Sequence, residues 1–173
     1  MLIHMPTIES ARGVLAMEEI LSSTDVAAIS WGPYDLAADL GIEAVRNADG
    51  SFASPIAHIR DRMIWLAAAR DKSVFDTVTT EFGLEALLAA DLNAAASLGM
   101  VGKFSIHPRQ IELIRKAFMP SAEKLDRYRR MIAADSGGVF GFEGEMVDGP
   151  IIKRARRYLM LAERYNAMPR SGA

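Results

Sequence analysis

Cysteine is missing from all 173 residues of the chain. Disulfides and thiolate metal sites are thereby excluded, and the composition fits a reducing cytosol, so a cytoplasmic location is expected. An excess of one charge sign is missing too. Twenty Lys and Arg face 22 Asp and Glu, a formal net charge of −2. No field of that size recruits nucleic acid or an anionic membrane, so neither is expected as a partner. No apolar run approaches a membrane span. Repeats and low-complexity tracts are lacking, and no signal peptide is expected, because Met1 leads directly into what reads as a core strand. Domains rarely begin with such a strand, so a preceding segment is expected upstream.

Half of the residues are hydrophobic and 24% are charged, an ordinary composition for one folded core. Leu2 to Ile8, Val26 to Trp31, Val74 to Val78 and Val101 to Ile106 read as buried strands. Between them, Ala11 to Leu21, a short stretch from Pro33 to Gly41, Pro55 to Asp71 and Leu84 to Leu98 read as helices. Arg46 to Ser54 is polar and reads as a loop. Arg109 to Phe118 and Ala122 to Ala134 follow as helices split by Pro120-Ser121. This alternation predicts an α/β fold of parallel βαβ units with right-handed crossovers. The alternation stops at Gly137-Gly138. Val139 to Val147 reads as a hairpin, and Pro150 opens a helix that runs to about Asn166. The expected division is therefore residues 1–136 and an appendage, 137–173.

Two acidic residues stand out. Glu9 follows the first apolar run, and Asp35 follows the second in Trp31-Gly32-Pro33-Tyr34-Asp35. Neighbouring strands lie roughly 5 Å apart, so carboxylates at successive strand ends come side by side. That is a place for a hard divalent cation, Mg²⁺ or Mn²⁺. Each also has a plainer reading: Glu9 precedes a helix whose dipole favours it, and Asp35 is placed to cap free N–H groups. Lys103 is expected near the start of its strand in a structural role. His107 is expected to be a satisfied, partly buried side chain, His4 to face the sheet interior and His58 a helix surface. Lys153, Arg154, Arg156 and Arg157 read as a solvated helix face, and the ten Met residues as core filler.

Four ordered blocks resemble the citrate lyase beta-subunit and malyl-CoA lyase family, CoA-ester lyases of the HpcH/HpaI aldolase type. They are Ile8-Glu9-Ser10-Ala11-Arg12-Gly13-Val14, Gly32-Pro33-Tyr34-Asp35-Leu36-Ala37-Ala38-Asp39-Leu40-Gly41, Gly102-Lys103-Phe104-Ser105-Ile106-His107-Pro108-Arg109-Gln110-Ile111 and Gly144-Glu145-Met146-Val147-Asp148-Gly149-Pro150. Phe75 to Phe82 also looks like the family's seventh strand, with Glu81 where an Asp is usual. The resemblance implies an incomplete TIM (β/α)₈ barrel, its strands equivalent to the fifth to eighth, with a C-terminal hairpin–helix lid. A full barrel of this kind takes about 250 residues. The first half would supply the arginine that grips the substrate carboxylate and much of the CoA phosphate site.

The same resemblance implies Mg²⁺-dependent, reversible Claisen-type cleavage of a malyl-, citramalyl- or citryl-CoA-like thioester, with an acyl-CoA as the small-molecule substrate. It assigns the metal to Glu9 and Asp35. It makes Asp148 a lid carboxylate that moves a proton at the acetyl methyl group in a neighbouring subunit; the plainer reading of Asp148 is an N-cap. A homo-oligomer, or pairing with a missing N-terminal half, is implied. Two other readings stand beside this one: a non-catalytic remnant or assembly module, and a metal-dependent aldolase of free 2-oxo acids.

Overall fold

A computed structural model describes residues 3–81 and 85–167 of the chain. Two compact units divide between Phe118 and Met119.

The first unit holds a four-stranded parallel sheet of sequential order β1–β2–β3–β4. The strands are β1 (Thr7–Ile8), β2 (Ala28–Trp31), β3 (Ser73–Asp76) and β4 (Gly102–Lys103). Helices α1 (Ala11–Ser22), α2 (Pro33–Leu40), α3 (Ser54–Ala69) and α4 (Glu85–Ser97) lie in the connections, and α5 (Pro108–Phe118) follows β4. The expected alternation and the parallel pairing are both present. Sequential order with right-handed crossovers places the connecting helices on one face of the sheet.

The strands pair over shorter runs than the apolar segments suggested. The first contributes a bridge from His4 to Val26 and then only Thr7–Ile8. Pro6 lies between and has no N–H to donate to the ladder. Hydrogen bonding of the fourth strand extends just past its ends, with Val101 N donating to Val74 O and Phe104 N to Asp76 O. The chain then turns at Ser105, whose hydroxyl donates to His107 O, and Pro108 opens α5. Expected residues Leu2 and Leu84 lie outside the described residues.

Register sets one transverse row across the sheet. Ile8 is level with Trp31, and Asp76 with Lys103. Ile29 is level with Val74, so Trp31 falls level with Asp76 two residues on. All four residues of the row are buried. Ile8 meets α1 at Gly13, where a Cβ would lie 3.8 Å from Ile8 Cγ2. On the opposite face of β1, Ile3 and Met5 are exposed, 60% and 40%. Met17, Met63 and Met100 fill the core of this unit as expected.

The second unit contains α6 (Ala122–Ala133), the antiparallel hairpin of β5 (Phe140–Phe142) and β6 (Glu145–Val147), and α7 (Gly149–Ala167). Its core joins Tyr128 and Met131 of α6 to Val147, Ile152 and Ala155. The hairpin turns at Glu143-Gly144, with φ of +50° and +83°, the pattern of a two-residue type I′ turn. Arg127 ion-pairs with Glu143 and Glu145, each at 2.8 Å, and Arg130 also pairs with Glu143. Hydrogen bonds from Arg127 and Arg130 hold the Glu143 carboxyl below the usual glutamate range.

The unit boundary therefore lies ahead of the expected one between 136 and 137. Gly137 and Gly138 do take φ of +79° and +85°, but helix α6 belongs with the hairpin and α7 because its Tyr128 and Met131 are buried against them.

Candidate metal centre

Glu9 and Asp35 are delivered by the backbone. Gly32 N donates to Ile8 O at 2.9 Å, which sets the end of β2 beside the residue ahead of Glu9. Pro33 then starts α2, where Leu36 N donates to Gly32 O at 3.0 Å and closes the first turn. Asp35 sits in that turn. The carboxylates converge on Gly32. A Cβ at Gly32 would lie 3.0 Å from Glu9 Oε2 and 3.7 Å from Asp35 Oδ2. The missing side chain lets Glu9 pack directly against the Gly32 backbone, since the same Cβ would lie only 2.9 Å from Glu9 Cβ.

Neither carboxylate is engaged as a helix cap. Ser10, not Glu9, caps α1: its Oγ accepts from Gly13 N at 3.1 Å. Helix α2 has Gly32 at its N-cap and no side-chain cap. Among the described residues, neither the Glu9 nor the Asp35 carboxylate has a hydrogen bond or ion pair. Both are exposed. Asp39, one turn on, does have a partner, since its Oδ2 accepts from Ala11 N at 2.6 Å and ties α2 to the start of α1.

This donor set fits magnesium. Two convergent, uncommitted and exposed carboxylates suit an ion that takes one or two carboxylates and keeps waters and substrate oxygens. No group of three or more His, Cys, Asp or Glu side chains among the described residues could enclose a cation.

Behind the pair lies a buried polar network that the sequence reading missed. Trp31 Nε1 donates to Asp76 Oδ1 at 3.0 Å, and Lys103 Nζ donates to Asp76 Oδ2 at 2.8 Å. Asp91 of α4 is 3.8 Å from Lys103 Nζ, and it accepts from Thr79 Oγ1 at 2.6 Å. Arg46 donates two hydrogen bonds to Asp91, at 3.0 and 2.8 Å. Burial disfavours the Arg46 charge, but its bonds to Asp91 and Tyr34 outweigh that and hold its pKa above the ordinary arginine value. The Arg46 guanidinium lies 4.1 Å from the Phe52 ring centre, and Phe52 stands edge-on to Trp31 at 4.8 Å. Two cations thus offset two carboxylates in the interior, as buried charges require. Lys103 is structural, as expected, and its burial adds a second reason. It is the second residue of β4, with a side chain fully buried against its counter-ions.

The remaining candidates separate. Asp148 lies in the second unit, where its Oδ1 accepts from Ile151 N at 3.3 Å, so its capping contact is present. His107 is half-buried and its Nδ1 accepts from Arg109 N at 3.2 Å at the start of α5. His58 is exposed on α3 as expected, but His4 is exposed as well, contrary to the interior position expected. Lys153, Arg154, Arg156 and Arg157 are all exposed on α7, and Arg156 pairs with Asp135 at 3.4 Å. No helix among the described residues is long and apolar enough to cross a membrane.

Comparison with known proteins bears on this arrangement. Residues 2–108 match the HpcH/HpaI aldolase/citrate lyase family. The chain is 36% identical over 157 residues to a citrate lyase subunit beta-like protein of Mycobacterium tuberculosis, covering 90% of this chain and 58% of that protein. It is 30% identical over 168 residues to the mitochondrial citramalyl-CoA lyase of Homo sapiens, covering 91% of this chain and 49% of that one. A crystal structure of the protein CitE from M. tuberculosis, in complex with magnesium, acetoacetate and coenzyme A, superposes with a TM-score of 0.79 at 35% identity. It covers 92% of this chain and 60% of that chain. The chain spans about half the length of the relatives it matches. With both carboxylates inside the matched segment, the chain belongs to the HpcH/HpaI aldolase/citrate lyase family.

Proposed function

We propose that this chain is the C-terminal half of a TIM-type barrel of a CoA-ester lyase, its four strands equivalent to the fifth to eighth. The proposed reaction is reversible, Claisen-type cleavage of a malyl-, citramalyl- or citryl-CoA-like thioester to an acyl-CoA and a 2-oxo acid. The observation that carries this reading is the pair of uncommitted carboxylates, Glu9 and Asp35, converging at Gly32. The magnesium, acetoacetate and coenzyme A bound by the M. tuberculosis relative support it.

In this reading Glu9 and Asp35 hold Mg²⁺, with Mn²⁺ as a substitute. When bound, the ion supplies positive charge that chelates the 2-oxo or 2-hydroxy acid and offsets the charge that develops as the carbon–carbon bond breaks. Gly32 lets the Glu9 carboxylate approach, because a side chain there would displace it. The hairpin and α7, with α6, serve as a lid, and Asp148 is the acid/base candidate at the acetyl methyl group, acting on a neighbouring copy in a homo-oligomer. Lids of this kind exclude water and complete a site on closing. The sheet ends at β1 and β4, and a preceding half would pair with those edges.

Isothermal titration with Mg²⁺ and Mn²⁺ tests the metal assignment. Binding should be measurable in the unaltered chain and lost in both Glu9→Gln and Asp35→Asn. Equal binding in both variants would return these residues to a helix-terminal role.

A second reading is a non-catalytic remnant or assembly module of the same family. Release of acetyl-CoA from malyl-CoA, assayed with and without a separately expressed first half, separates the two. Turnover that appears on mixing supports the lyase; none in a verified complex supports the module. A metal-dependent aldolase of free 2-oxo acids would instead act on substrates without a thioester.

A further inference from the structure

The Glu9 and Asp35 side chains have no protein partner among the described residues to hold them. Their placement is therefore inherited from the backbone at the ends of β1 and β2. Trp31 lies within that backbone. It immediately precedes Gly32 and lies level with Ile8, the residue ahead of Glu9. It is 1% exposed, so its indole N–H must find an acceptor inside the protein. That acceptor is Asp76.

Asp76 is itself held from the other side. One oxygen takes the Trp31 N–H and the other takes the Lys103 ammonium, across the adjacent strand. One carboxylate thus ties the ends of β2, β3 and β4 together, within the row that begins at Ile8. Phe52, standing edge-on, limits rotation of the indole. A second tie supports the same turn, because Thr80 Oγ1 donates to Tyr34 Oη at 3.0 Å, next to Asp35.

We propose that Trp31, anchored through Asp76 by Lys103, is the positioning residue of the Glu9–Asp35 pair, so that its indole hydrogen bond and divalent-cation binding are thermodynamically coupled. This rests on the reading of that pair as the metal site. Coupling of this kind is reciprocal: whatever the bond contributes to cation affinity, the cation returns to the bond.

Two measurements on the full chain test it, with Mg²⁺ and Mn²⁺ alone as probes. The first compares affinity in Trp31→Phe, which keeps an apolar ring but removes the N–H, with the unaltered chain. Circular dichroism verifies folding of both. Affinity is expected to fall about five- to tenfold while both carboxylates remain. A purely structural Trp31 would lower the melting temperature and leave the dissociation constant of the folded protein where it was. The second needs no substitution and decides the matter where Trp31→Phe does not fold. Hydrogen exchange at the Trp31 indole N–H, followed by nuclear magnetic resonance, should slow several-fold at saturating Mg²⁺. Trp65, 68% exposed on α3, provides the unaffected reference. Unchanged affinity in folded Trp31→Phe, or unchanged Trp31 exchange at saturation, overturns the proposal. Absence of cation binding to the unaltered chain overturns the metal reading itself, a separate outcome.

Discussion

Gly32→Ala is the sharpest perturbation of the candidate site, because it adds one methyl group and nothing else. The backbone at Gly32 has φ −117° and ψ 88°, outside the left-handed region, so alanine meets no conformational barrier there. The new Cβ would instead lie 2.9 Å from Glu9 Cβ and 3.0 Å from Glu9 Oε2. Carbon atoms prefer about 3.5–4.0 Å, so Glu9 must retreat by roughly 0.6–1 Å. Stability should fall by up to about 2.6 kcal/mol. Overpacking costs about 1–3 kcal/mol, and the smaller chain entropy of unfolded alanine offsets about 0.4–1 kcal/mol of it.

Cation affinity should fall as well. Moving one unit charge from about 3 to about 4 Å from a divalent ion costs about 0.7 kcal/mol at the dielectric of water and about 3 kcal/mol at an effective dielectric near 20. That corresponds to roughly threefold to hundredfold weaker binding. Calorimetric titration with Mg²⁺, paired with thermal unfolding, reads both quantities. The expected result is weakened binding by the folded protein, measured below a lowered melting temperature. Unchanged Mg²⁺ affinity in Gly32→Ala, with Glu9→Gln inactive in binding, would refute the idea that the ion sits in the space at Gly32.

Other substitutions address other parts of the molecule. Lys103→Met leaves Asp76 buried with Trp31 as its remaining donor, and should destabilise the chain by about 3–5 kcal/mol in chemical denaturation, as for other broken buried pairs. Asp148→Ala removes the α7 cap and should cost about 1 kcal/mol of stability. In a reconstituted enzyme, Asp148→Asn should lower turnover sharply while leaving Mg²⁺ affinity intact, and mixing it with Glu9→Gln should restore part of the activity if the lid serves a neighbour. The depressed Glu143 pKa, caused by Arg127 and Arg130, gives the hairpin a pH dependence of definite sign. The stabilisation is fully present above the unfolded value near 4.5 and is lost as pH falls through the lower folded value. Thermal unfolding between about pH 6 and pH 3 should show the decline, Glu143→Gln should flatten it, and added salt should weaken it, since these pairs are exposed. Finally, the isolated chain should release no acetyl-CoA from malyl-CoA, because catalysis by positioning needs the residues that hold the acyl-CoA.

The sequence by itself determined the order and kind of the elements. Apolar runs bounded by polar turns mark β2 and β3, Pro33 and Gly41 mark the two ends of α2, and Pro108 marks the start of α5, because these signals act within a few residues of themselves. It also determined Glu9 and Asp35 as a pair, since strand spacing alone makes neighbours of residues at successive strand ends. Only the tertiary structure decided that neither carboxylate is occupied by a cap, that both face the space at Gly32, and that α6 belongs with the hairpin and α7. The buried network was likewise invisible. Trp31 and Asp76, like Arg46 and Asp91, are separated by 45 residues, and Asp76 and Lys103 by 27. No local spacing rule joins them, and Asp76 and Asp91 look like ordinary charged residues until folding removes them from water. Their pairing is then obligatory, because an interior charge without a partner costs more than the fold can sustain.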